Sequence, residues 1–136
     1  MLKILISLII SFTLISCANI NTKNTNTINF NNVQEQYILQ EITNILKNNF
    51  ANQKNIGFIA DSPMSKQLEI KLSSLGYIIE KPSNKTTNLN YYISSLEDNK
   101  IFLNMNFGNI KIGRIYLIKN NLIMPISPIN IGNSSK

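Results

Sequence analysis

The chain has 136 residues, with 13 Lys and Arg against 7 Asp and Glu, giving a formal charge of +6. It has a single cysteine and no histidine. That composition excludes a Cys/His metal site, a histidine general base and an intramolecular disulfide, and the length allows one small domain with a modest core.

The first seventeen residues are the most informative part of the chain. Met1-Leu2-Lys3 supplies one positive charge, and Ile4 to Ile15 is an apolar run broken only by Ser7, Ser11 and Thr13. Leu14-Ile15-Ser16-Cys17 follows, and Cys17 is the sole cysteine. The run is shorter than the roughly 20 apolar residues a spanning helix needs, and its order is that of a cleaved signal. The segment resembles the lipobox of bacterial lipoproteins; a plain signal peptide and a buried core helix are the alternatives. The resemblance implies cleavage after Ser16 and acyl chains, palmitate among them, on Cys17. Two or more chains hold a protein stably on a membrane, at about 0.8 kcal/mol per buried CH₂. In that family an Asp after the cysteine commonly retains the protein at the inner membrane. Ala18-Asn19 therefore favours the outer membrane, facing the periplasm, in a cell with two membranes.

Removing residues 1–16 takes away Lys3 and leaves twelve basic and seven acidic groups. The lysines are scattered and Arg114 is the only arginine, so the charge reads as a solvated surface, with attraction to an anionic membrane surface as the secondary reading, and no nucleic-acid partner is expected. Residues 17–31 are polar and rich in Asn and Thr, as in a flexible tether. Asn32-Val33-Gln34-Glu35 fits a capping box opening a first helix. Ile38, Ile42, Ile45 and Leu46 form its apolar stripe, widened by Tyr37, Leu39 and Phe50. Asn55 to Ala60 is a short strand in which Gly57 permits close approach of another backbone. Ser62-Pro63 then starts a second helix, with Met64, Leu68, Leu72 and Leu75 on one face and Gly76 past its end.

Tyr77 to Glu80 is the next strand, and Lys81 to Leu89 reads as a loop. Asn90–Leu96 and Ile101–Phe107 pair through a turn at Asp98-Asn99. A further strand from Ile110 to Ile118 leads through Asn120-Asn121 to Leu122-Ile123-Met124. Pro125 and Pro128 end regular pairing, and residues 129–136 read as a tail, disordered from Gly132 onward. The expected order is α-β-α-β-β-β-β-β: an α+β domain over residues 32–128, with two helices packed on one face of a small, mainly antiparallel sheet.

The lipobox, the amphipathic first helix, and a Leu-spaced second helix running into Gly76-Tyr77-Ile78-Ile79-Glu80 recur together with Arg114-Ile115-Tyr116 and Leu122-to-Pro125. With this set the chain resembles the TrbH conjugal transfer lipoproteins over approximately Val33 to Pro128. The resemblance implies a non-enzymatic structural or assembly role in a conjugal transfer or type IV secretion apparatus, with envelope or secretion-channel proteins as partners. The alternative is a protein-binding envelope lipoprotein of another system, flagellar or surface-exposed. One departure is the lack of the tryptophan that the family tends to carry near its C-terminus; the counterpart here is Ile126-Ser127-Pro128-Ile129.

No catalytic residue, metal ligand or cofactor is expected. Glu97-Asp98 is the one adjacent acidic pair, but it sits at a predicted hairpin tip and reads as solvated. Glu35, Glu41 and Glu69 read as polar helix-face charges without a role. Arg114 lies mid-strand on an otherwise apolar face. It is a candidate partner-binding anchor, beside the plainer reading in which its stem lies on the sheet and its head reaches water. Tyr91 and Tyr92, with Phe102, are candidates for an exposed aromatic patch that binds a partner.

Overall fold

In a computed structural model the described residues are 25–26 and 28–134. The expected leader, Cys17 and its lipidation lie outside them. β1 (Thr25–Asn26) precedes α1 (Asn32–Asn49). Asn31 caps α1: its side-chain oxygen accepts the Gln34 N–H at 2.9 Å, while the Gln34 side chain accepts the Asn31 N–H at 3.1 Å. Two donors that a helix start leaves open are thereby satisfied. The box lies one residue earlier than expected, with Gln34 rather than Glu35 as the return partner, because Asn31 is the last residue still in extended conformation. Ile38, Leu39, Ile42, Ile45 and Leu46 are all buried, each worth about 2 kcal/mol of transfer free energy.

β2 (Asn55–Gly57) leads to α2 (Pro63–Ser74), capped by a reciprocal Ser62–Ser65 pair with Pro63 in the first turn. Met64, Leu68 and Leu72 are buried, but Leu75 is the C-terminal cap and is exposed. Gly76, at φ +88°, turns the chain out of the helix. β3 (Ile78–Glu80) then runs parallel to β2, which runs parallel to the start of β4 (Thr87–Ser95). Part of the expected loop is thus strand: Thr87 and Asn88 take up register with Ile56 and Gly57.

β4, β5 (Lys100–Phe107), β6 (Ile110–Lys119) and β7 (Leu122–Pro125) form an antiparallel meander. Asp98-Asn99 and Asn120-Asn121 all have positive φ, the backbone a primed hairpin turn requires. β8 (Asn130–Asn133) returns to pair with the first half of β6, beyond the stretch taken by β7. Three steps on β6, from Gly113 to Tyr116, face five on the opposite chain, from Pro125 to Asn130. The two extra residues make a bulge, so β7 and β8 are one edge strand interrupted near Ser127-Pro128. β8 corrects the expectation of a disordered tail for Gly132 and Asn133. β1, pairing with β4, places a strand within the segment read as tether.

The sheet order is β3-β2-β4-β5-β6-β7, with β1 beside β4 and β8 beside β6. Two helices with a mixed, mainly antiparallel sheet make the fold α+β. Leu89, Tyr91, Ile93, Ile101, Leu103, Met105, Phe107, Ile112 and Tyr116 point inward and join the buried side chains of both helices in one core. Strand alternation sends Tyr92, Phe102, Ile115, Leu117, Leu122 and Met124 to the opposite face, and none of these belongs to that core. Among the described residues no helix is long and apolar enough to cross a membrane.

Candidate functional site

A polar network sits where α1 crosses β6. Arg114 is on the inward face of β6, opposite the buried Leu103 of β5. Its Nη1 donates to Glu41 Oε2 at 3.0 Å, and its Nε donates to the Ser127 carbonyl at 3.0 Å. The Tyr116 hydroxyl donates to the same Glu41 oxygen at 2.9 Å. The guanidinium lies 5.7 Å from the centre of the Tyr116 ring, and Tyr37 meets that ring edge-on at 6.2 Å. The Arg114 and Glu41 side chains are 20% and 17% exposed, while Tyr116 is fully buried.

The bulge explains the third partner. Opposite it, β6 has a backbone N–H with no ladder carbonyl, and the Ser127 hydroxyl accepts the Ile115 N–H at 2.9 Å instead. The Ser127 carbonyl, freed from pairing, turns to Arg114. Ser127 therefore joins the edge strand to the network through both its side chain and its backbone.

Burial pushes the Tyr116 phenol far above its ordinary range, and the Glu41 charge and hydrogen bond push in the same direction. Tyr37 is raised by burial first and by Glu41 second. Both phenols remain neutral donors at physiological pH. The one carboxylate is held by two donors and faced by one cation. This arrangement joins α1, β6 and the edge strand.

Arg114 is held within the domain, its charge met by Glu41 and its side chain still one-fifth exposed. Glu41 was missed in sequence, although a signal was present. It lies three residues after Ile38 and four before Ile45, inside the apolar stripe, where it faces the only arginine of the chain. Tyr91 is also corrected. It is 2% exposed, stacked with Phe58 at 6.5 Å between ring centres, and its phenol is pushed up to about 12 by burial. Adjacent strand residues point to opposite faces, so Tyr91 enters the core while Tyr92 is exposed on the other side, where Phe102 is half-buried. Glu97-Asp98 stays at the hairpin tip, where Asp98 approaches Lys100 at 3.8 Å with both side chains exposed. Among the described residues no three Cys, Asp or Glu gather as metal ligands would.

The outward face has its own relief. The Phe102 ring lies across Gly113, where a Cβ would meet it at 3.0 Å. Beside it an open depression of about 360 Å³ is lined by Phe102, Arg114, Ile115, Ser127, Pro128 and Ile129, among others.

Fold and network together define a small α+β domain in which, among the described residues, a half-buried ion pair braces the layers and the sheet leaves one face outside the core. Over residues 18–135 the chain matches the family described as conjugal transfer protein TrbH, and it belongs to that family. Neither a curated protein nor a solved structure matches the chain.

Proposed function

We propose that this protein is a lipid-anchored, non-enzymatic structural or assembly component of a conjugal transfer apparatus of the type IV secretion kind. The observation that carries the reading is the family match, which begins at Ala18, immediately after the lipobox cysteine. In this reading residues 1–16 are the leader, Cys17 carries the acyl chains, a tether follows, and the domain that begins near Asn32 meets envelope or secretion-channel proteins. The Ala18-Asn19 pair favours the outer membrane, facing the periplasm, in a cell with two membranes. The buried network supports a structural role, because its only carboxylate is already bound by Arg114 and Tyr116.

The test joins acylation to transfer. Cys17→Ser is expected to abolish metabolic labelling with a palmitate analogue, to release the protein from the membrane fraction, and to lower mating frequency as far as deletion of the gene does. Labelling that persists in the Cys17→Ser chain would sink the anchor. Unchanged mating after deletion would sink the transfer role. Capture of the protein from detergent-solubilised membranes is expected to bring other transfer components with it.

A further inference from the structure

The outward face of the sheet carries a specific mixture. Pairing places Lys100, Leu117 and Met124 in one cross-strand row, with Phe102 and Ile115 in a second and Lys119 and Leu122 in a third. Lys111 lies further along β6 on the same face. Leu122 is 54% exposed, Met124 40% and Tyr92 44%. Across β4 to β8 this face presents three lysines and no acidic residue. The carboxylates flanking it are Glu97 and Asp98, at the hairpin tip beside Lys100, and Glu80, on β3 at the far edge.

The chain also limits how far this face can stand from an anchor. β1 pairs with β4 at Thr25↔Tyr92, so the sheet takes in the chain only eight residues after Cys17. Eight residues reach at most about 28 Å, which is roughly the width of a domain this size. Tyr92, an amphipathic aromatic of the kind favoured at bilayer interfaces, sits beside that point on the open face.

We propose that the open face of the sheet docks on an anionic phospholipid surface, that of the membrane in which the chain is anchored. The exposed Tyr92, Leu122 and Met124 enter the headgroup layer in front of the half-buried Phe102, Ile115 and Leu117, and Lys100, Lys111 and Lys119 engage lipid phosphates. Basic side chains near such a surface add attraction that salt screens. The proposal rests on the anchor reading for its geometry, and the experiment separates the two.

The full chain, purified from membranes, is reconstituted with phosphatidylglycerol-containing or purely zwitterionic vesicles. Acylation uses up the Cys17 thiol, so Leu122→Cys provides one site for an environment-sensitive fluorophore. Ile70→Cys, on the exposed side of α2, is the control. Intact-mass measurement reports separately whether Cys17 is acylated, and its failure would bear on the anchor alone. If Cys17 proves unacylated, the Leu122 probe on a Cys17→Ser background, added to vesicles in bulk, reads the face by itself.

The Leu122 probe is expected to blue-shift in anionic vesicles and not in zwitterionic ones, while the Ile70 probe stays in water. High salt, or Lys100→Glu with Lys111→Glu and Lys119→Glu, is expected to reverse the shift. In bulk addition the triple variant is expected to lose about a hundredfold in vesicle affinity. Equal responses from both probes, indifference to lipid charge, or a shift that grows with protein density at fixed lipid composition would overturn the proposal; the last outcome would assign the face to a second copy of the chain.

Discussion

Removing Glu41 is the sharpest perturbation of this fold. Its Oε2 accepts from Arg114 at 3.0 Å and from Tyr116 at 2.9 Å. Glu41→Ala leaves a guanidinium that is four-fifths buried with only the Ser127 carbonyl, and a fully buried hydroxyl with no acceptor. Breaking a fully buried pair from one side costs about 3–5 kcal/mol. The partial exposure of both groups lets water reach them and reduces this to about 2–3 kcal/mol. For a domain of this size that lowers Tm by roughly 10–20 °C. Urea titration followed by far-UV circular dichroism gives the free energy directly. Arg114→Met combined with Glu41→Leu is expected to recover most of the loss, because no charge is then stranded. A Glu41→Ala chain as stable as the parent would refute the reasoning. So would a double variant whose cost equals the sum of the single ones.

The buried phenols make stability fall at high pH. Tyr91, pushed up to about 12, and Tyr116, raised further, hold their protons more tightly folded than unfolded, so their contribution is complete below pH 10 and is lost as pH climbs through the folded values. Their tyrosinate absorbance is expected to appear only together with unfolding, and Tyr116→Phe to move the alkaline midpoint upward; an unmoved midpoint would remove Tyr116 from the account. Gly57 lies between β3 and β4, where a Cβ would strike Asn88 Oδ1, Thr86 Oγ1 and, at 2.8 Å, the Pro82 Cα. The last is backbone and cannot swing aside, so Gly57→Ala is expected to cost about 1–3 kcal/mol. A thermal melt of that variant matching the parent would show that the loop carrying Pro82 yields freely.

Local chemistry was legible wherever one residue type answers one backbone need. Ser62-Pro63 starts α2, Gly76 leaves it at positive φ, and the Asp98-Asn99 and Asn120-Asn121 pairs make left-handed turns, because in each case a short-range preference meets no tertiary competitor. The alternation Ile101, Leu103, Met105, Phe107 marked the inward face of β5 for the same reason: period two survives folding unchanged. Strand limits were less legible. Thr87-Asn88 and Asn130–Asn133 carry little strand signal of their own and are strands only because β2 and β6 offer them unpaired edges.

The candidate residues divide along the same line. The sequence by itself determined the α+β class, both helices and the turns, since these depend on composition and on neighbours within a few residues. Only tertiary structure decided the fates of Arg114, Glu41 and Tyr91. Glu41 and Arg114 are 73 residues apart in the chain and meet at 3.0 Å. A charged pair across a helix–sheet interface depends on the angle at which α1 crosses β6, and no local preference encodes that angle. Tyr91 and Tyr92, identical side chains on adjacent residues, were separated by the register of β4, which sent one into the core and the other to the open face.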